Sequence, residues 1–284
     1  MTETNEPDIR DEILRGIANR TVTARIIADD RGILAETAAL KREAEALGLK
    51  IGHVLGEGSP VGPGDEIARY HGRPKQIAMA EERLIGLIAK PSGIATAARR
   101  FVEKAGRRPE IVSGAWKKMP WGQKDMIRRA VIAGGAKSRI AEVPFLYLDK
   151  NYVRMLGGVR PCLAAVAGLN GYLKVVQVQG EYGAIDREAV DAVALGADII
   201  FIDTGSPEDL ARTTDALRRA GLRDRVRIAF GGGVQLEDME SLKALDADLL
   251  DVGRPIIDAP LLDMRIEIIV EKAASPDQDG PGRD

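Results

Sequence analysis

The sequence predicts an α/β protein in which strands of a parallel sheet alternate with helices. After Gly106, short apolar runs recur at Glu110–Val112, Pro144–Leu148, Leu173–Val178, Asp198–Ile202, Val226–Ala229 and Asp248–Val252, with helical patterns between them. Apolar strands separated by helices mark a parallel sheet buried on both faces. The last two runs lead into glycine, as Phe230-Gly231-Gly232-Gly233-Val234 and Asp251-Val252-Gly253-Arg254. Glycine lets backbone N–H groups approach an anion, and the loops after the last two strands are where (β/α) barrels hold phosphate. The bland alternative is that these glycines only make tight turns. Six strand–helix units fit a barrel better than an open sheet, and either arrangement puts the ligand at the C-terminal strand ends.

Composition bounds the function. The 284 residues are 45% apolar, enough for a large core. Charged residues make up 30%, yet the net charge is −2, so nothing points to nucleic acid or an anionic membrane. One cysteine, Cys162, excludes an internal disulfide framework, and two histidines, His53 and His71, leave no His-rich metal centre. Met1 to Ile9 lacks the apolar core of a signal peptide and no run reaches membrane-spanning length, so a soluble, cytoplasmic protein is expected.

The elements follow in order. Residues 1–10 and 274–284 are polar and expected to be disordered. Thr21–Ala28 alternates as a strand, and Thr37–Leu47 reads as an amphipathic helix ended by Gly48. Lys50–Leu55 and Glu66–His71 are strands joined by the turn-rich Gly56–Gly64. Pro74–Lys104 is helical in pattern, and Pro91-Ser92-Gly93 predicts a kink or break because proline removes a helical N–H. Ser206-Pro207-Glu208-Asp209 is a helix start with a capping hydroxyl, a first-position proline and an acidic first turn, and Gly221 closes that helix.

Candidate site residues are the polar ones just past each strand: Trp116, Lys117 and Lys118, then Asp149, Lys150 and Asn151, then Gln177 and Gln179, then Asp203 and Thr204. Lys137 and Arg139, in Gly134-Gly-Ala-Lys-Ser-Arg139, enter from the loop before the second strand, and Gly231, Gly232, Gly233 and Gly253 complete the set. Acids, cations and open backbone suit a phosphorylated sugar, with hydroxyls or a metal on the acids and phosphate on the cations. Asp203, closing an apolar strand, would be costly in a dry core and so belongs at the mouth. Lys150 would form a Schiff base only if desolvated, and solvated lysines are far commoner. Trp116 and Trp121 either line a pocket or pack, and Glu81-Glu82-Arg83 reads as a solvated helix face.

Several of these pieces, in order, resemble the quinolinate phosphoribosyltransferase family, also called nicotinate-nucleotide pyrophosphorylase. They are Ala24–Ala35, Val61-Gly-Pro-Gly-Asp65, Ala80-Glu81, Ser92-Gly-Ile-Ala-Thr96, Gly134–Arg139, Gly196–Asp203, Gly231-Gly-Gly and Val252-Gly253, spread over roughly residues 12–270. The resemblance implies an N-terminal α/β sandwich over 11–108, completed by 264–273, joined to a partial (β/α) barrel of the type II phosphoribosyltransferase kind over 109–263. It also implies a homodimer with its site at the interface, and magnesium-assisted transfer of phosphoribose from phosphoribosyl pyrophosphate. Asp203 would hold ribose hydroxyls or magnesium, the glycines the 5′-phosphate, and Lys117 and Arg139 the other anionic groups.

The chain departs from the family at the acceptor side. Ala115-Trp116-Lys117-Lys118 stands where the family has Thr-Arg-Lys-Thr, and Ser138-Arg139 where it has His-Arg. A family lysine falls on Asp149, with Lys150 one place over; an arginine contributed by the partner subunit falls on Glu82, beside Arg83. The family's Glu-Val-Glu-Val strand is similar to Gln177-Val-Gln-Gly180. Each missing charge pair would cost about 2–5 kcal/mol, so the acceptor is expected to differ from quinolinate. Two other readings stay open: a sugar-phosphate lyase or isomerase using Lys150 and Asp149, and a non-catalytic protein that binds a phosphorylated metabolite.

Overall fold

The computed structural model describes residues 8–269. Residues 1–7 and 270–284, which include most of both expected tails and the end of the 264–273 segment, lie outside the described residues. Asp8 to Arg10 were expected in the N-terminal tail, but Asp8 accepts from the Arg10 N–H and caps a short helix.

In chain order, α1 (Ile9–Ile13) precedes β1 (Val22–Ala28), β2 (Gly32–Ile33), α2 (Thr37–Ala46), β3 (Lys50–Val54), β4 (Pro60–Val61), β5 (Glu66–Gly72) and α3 (Pro74–Ala105). Then come β6 (Glu110–Val112), α4 (Lys124–Ala133), β7 (Phe145–Leu148), α5 (Lys150–Leu156), α6 (Val159–Ala165), β8 (Leu173–Val178) and α7 (Ile185–Ala194). The chain ends with β9 (Ile199–Ile202), α8 (Pro207–Arg219), β10 (Arg227–Phe230), α9 (Met239–Lys243), β11 (Leu249–Asp251), α10 (Arg254–Ile257) and β12 (Met264–Ile269).

The first sheet has the antiparallel order β12-β1-β5-β3, so the last strand returns to the first, with Ile26 opposite Ile266. Its core packs Ile26, Ile67 and Tyr70 against Leu40 of α2 and Leu84 and Ile88 of α3. The second sheet is parallel, in the order β6-β11-β10-β9-β8-β7. Strands β6 and β7 do not pair directly; one bridge, Val112 to Lys137, lies at this seam. The barrel is therefore partial.

Alternation along the barrel strands divides two cores. Ile200 and Ile202, Val176 and Val178, Phe230 and Leu250 face the helices. Ile199 and Phe201, Val175, Ala229 and Leu249 face inward with Val112 and Ile140. The inward row continues past the strand ends, and that continuation places the site.

The expected break at Pro91 does not occur: α3 continues through it from Pro74 to Ala105. Tertiary contacts hold this stretch in the helix. Ser92 Oγ accepts from the Ala35 N–H at 3.0 Å, and Thr96 Oγ1 accepts from the Ile33 N–H at 2.9 Å. These hydroxyls satisfy backbone donors at β2 and just after it, which ties the helix to the first domain across the proline. At the other end, Ser206 caps α8 through the Asp209 N–H at 3.1 Å, as its sequence indicates.

Candidate active site

A cavity of about 580 Å³ opens at the C-terminal end of the barrel. Its walls are largely apolar and aromatic, from Trp116, Phe145, Tyr147 and Phe201, with Lys117, Arg128 and Arg139 as cations and Asp251 as the acid. Trp116 is fixed by its indole N–H, which donates to the Ser138 carbonyl at 2.8 Å, and the Arg128 guanidinium stacks 3.6 Å from its ring centre. Lys117 sits 5.7 Å from the Tyr147 ring centre and Arg139 5.2 Å from that of Phe145, within cation–π range. Trp121, by contrast, is 88% exposed and does not line the cavity.

Beside the cavity, β8 and β9 present a polar array. The Gln177 amide donates to Asp203 Oδ2 at 2.5 Å while its oxygen accepts from the Lys150 N–H at 2.8 Å. Gln179 donates to the Asp203 carbonyl at 3.2 Å. Burial pushes the Asp203 carboxyl above its ordinary range, opposed by Lys150, Lys117 and the Gln177 bond. Burial likewise raises Asp251, opposed by a 3.0 Å hydrogen bond from the Gly114 N–H and reinforced by the Asp203 charge. Burial and these acids hold the Tyr147 phenol far above its usual value, so it stays a donor.

The glycines divide by role. Gly231 donates its N–H to the Ile202 carbonyl and accepts from the Gly205 N–H, so both its polar groups are used. A side chain there would meet Phe201 at 2.9 Å, so Gly231 serves packing and is not the anion donor expected from the sequence. Gly232 and Gly233 have φ of 105° and 111°, and among the described residues their N–H groups donate to no protein acceptor. Gly253 caps α10 with its N–H likewise unengaged. Adjacent open donors of this kind can cradle an anion.

Other expectations are revised by what the side chains touch. Asp149 accepts from the Asn151 and Tyr152 N–H groups and caps α5, which commits Oδ1 to the helix start. Lys150 is exposed, so the desolvation a Schiff-base lysine needs is missing. Lys137 pairs with Glu110 at 2.9 Å, at the N-terminal end of β6 and away from the mouth. Arg83 lies on α3, ion-paired with Glu43 and outside the cavity of its own chain. Ser138 contributes its carbonyl to Trp116 and lines the wall.

Two residues escape a reading of the sequence. Arg128 arrives from α4, which a strand-end rule does not reach. Asp251 has a readable signal, since it shares the inward face with Leu249 two residues earlier.

A parallel partial barrel that gathers carboxylates, amides, cations and open glycine loops at one end defines an α/β-barrel enzyme. Two family models divide almost all of the described chain: the N-terminal domain of quinolinate phosphoribosyl transferase matches residues 8–92 and the C-terminal domain residues 94–267. The chain belongs to the quinolinate phosphoribosyl transferase family. It is 30% identical over 255 residues to a probable nicotinate-nucleotide pyrophosphorylase (carboxylating) of Archaeoglobus fulgidus, covering 89% of this chain and 96% of that one. The human nicotinate-nucleotide pyrophosphorylase is 27% identical over 254 residues, covering 88% and 84%. In fold, it is similar to the crystal structure of the nicotinate-nucleotide pyrophosphorylase from Ehrlichia chaffeensis, with a TM-score of 0.80, 14% identity and 93% of each chain covered. Among the described residues no helix is long and apolar enough to cross a membrane.

Proposed function

We propose that the chain transfers phosphoribose from phosphoribosyl pyrophosphate to a nitrogenous aromatic acceptor other than quinolinate. One juxtaposition supports this: open glycine donors and Asp203 stand beside a cavity whose acceptor side is aromatic and carries the acid Asp251. Gly232, Gly233 and Gly253 hold the 5′-phosphate, and Asp203 receives the ribose hydroxyls. Lys117 and Arg139 meet the pyrophosphate. As the C1′–O bond to pyrophosphate weakens, positive charge develops on the ribose, and the fixed carboxylate of Asp203 stabilises it. Quinolinate carries two carboxylates, and Asp251 offsets part of the attraction that Lys117, Arg128 and Arg139 would exert on them.

Magnesium fits this donor set. Among the described residues no group of three or more His, Cys, Asp or Glu side chains could hold a metal unaided. Magnesium commonly takes one or two protein carboxylates and completes its shell with substrate phosphates and waters. Asp203 has one oxygen on Gln177 and would offer the other; the bound metal would neutralise charge on the leaving pyrophosphate.

The working unit under this reading is a homodimer, with α3 and its Glu82 and Arg83 reaching the partner's mouth. Exposed Tyr152, Met155 and Leu156 give α5 an apolar surface suited to cover by a second copy. Light scattering should return twice 30.6 kDa; a monomer at assay concentration would remove the interface role. Pyrophosphate release from phosphoribosyl pyrophosphate, assayed across aromatic acceptors with magnesium, tests the activity. Efficient turnover of quinolinate itself would refute the altered acceptor. The lyase reading loses its central lysine to solvent, and no observation favours a silent binder.

A further inference from the structure

We infer that Asp251 is the catalytic base for an acceptor ring that must shed an N–H proton on transfer, of azole or nucleobase type. The inference rests on the phosphoribosyltransferase reading and deepens it.

The observations are geometric. Asp251 ends β11 on the inward face and is the carboxylate among the residues that line the cavity. Oδ1 is fixed by the Gly114 N–H at 3.0 Å, and among the described residues no group donates to Oδ2. The carboxylate thus has one anchored oxygen and one left for a ligand. Around it stand Trp116, Tyr147 and Phe201, walls that suit a flat ring held by its faces. Gly231 has no side chain between Phe201 and Asp251, so the cavity stays open beside the acid.

Those features discriminate between two kinds of nitrogen. A pyridine nitrogen attacks C1′ with its free lone pair and sheds no proton, so a carboxylate beside it has nothing to accept. An acceptor ring with an N–H must lose that proton to end neutral: an azole attacks through its lone-pair nitrogen and sheds the proton carried by its other nitrogen. The ring nitrogen forms its bond to C1′, and the C1′–O bond breaks with its electron pair leaving on pyrophosphate. The N–H proton passes to Asp251 Oδ2 and later to solvent. No oxidant or further reactant is needed. The charged groups facing Asp251 are Asp203 just past β9 and Lys117 and Lys118 from the segment after β6, with the Tyr147 phenol from β7. Burial raises the Asp251 carboxyl, which brings its basicity nearer that of a weak N–H acid.

The test compares imidazole, benzimidazole and nucleobase acceptors with nicotinate and quinolinate, reading pyrophosphate release from phosphoribosyl pyrophosphate. Turnover should favour the N–H set. In Asp251→Asn, which keeps an oxygen for Gly114, kcat should fall by roughly 10²–10⁴-fold with little change in KM for phosphoribosyl pyrophosphate. Turnover confined to the pyridine acceptors overturns the inference, as does an Asp251→Asn enzyme that keeps its rate with the N–H acceptors. Acceptor selectivity of the native protein decides the matter even if the variant misfolds. Thermal-shift binding of phosphoribosyl pyrophosphate separates the two levels: binding without transfer to any N–H acceptor sinks this inference alone, and no binding sinks the phosphoribosyltransferase reading beneath it.

Discussion

Replacing Asp203 by asparagine should slow pyrophosphate release by about 10²–10³-fold and raise the melting temperature at neutral pH. The first effect follows from charge. Asp203 follows β9 at the mouth, held by Gln177, with Lys117 and Lys150 near enough to favour its ionised form. Removing one partner of a charged pair at such a place costs about 2–5 kcal/mol, and each 1.36 kcal/mol is about tenfold in rate. The second effect follows from burial. The folded protein holds the Asp203 carboxyl above its ordinary value, so the folded state binds its proton more tightly than the unfolded chain. Stability therefore falls as pH rises between the unfolded and folded values, and at neutral pH the whole cost is present. Asparagine removes that cost while keeping the shape. A variant that is slower and melts higher marks a residue kept for chemistry at the expense of stability. Kinetics and calorimetry on one preparation check both effects; a variant that is slow because it melts lower would make Asp203 a structural residue.

Much of the barrel was legible because its strands are buried on both faces and read as unbroken apolar runs. The expected strands differ from the observed ones mainly at their ends. Asp198, expected inside a strand, lies just before β9 and accepts from the Lys174 N–H at 2.8 Å. Asp203 was legible as an acid closing an apolar run, and it does follow β9, where the Gln177 amide donates to it. Asp149 shows the opposite failure. Its place before Lys150-Asn151-Tyr152 is an N-cap signal as well as a strand end, and helix capping is where its carboxylate goes. Lys137 and Arg139 look equivalent in the sequence, yet Lys137 pairs with Glu110 and Arg139 reaches the cavity. Only assembly separates them. Arg128 was out of reach of any strand-end rule, since the packing of α4 brings it over Trp116.

The other large effect is expected at Gly93. Local pattern marks Pro91-Ser92-Gly93 as a kink or break, but the helix continues and Gly93 packs directly against the chain before β12. A Cβ at this position would lie 1.8 Å from the Pro260 carbonyl oxygen and 3.0 Å from the carbonyl carbon. The obstacle is backbone, which no rotamer change relieves, and the segment it belongs to leads into β12 of the first sheet. Gly93→Ala should destabilise the fold by about 3 kcal/mol, the upper part of the overpacking range, despite the gain of roughly 0.5–1 kcal/mol that alanine brings to a helix. Gly86 in the same helix supplies the control, for a Cβ there meets nothing within 4 Å. Gly86→Ala should stabilise by about 0.5–1 kcal/mol through helix propensity alone. The same substitution at these two positions of one helix should therefore shift the denaturation midpoint in opposite directions. Propensity acts equally at both positions, so opposite signs would isolate the packing of α3 against the Pro260 segment. Equal shifts would mean that this packing yields without cost, and the reading of Ser92–Thr96 as a docking stretch for β2 and the chain before β12 would fall with it.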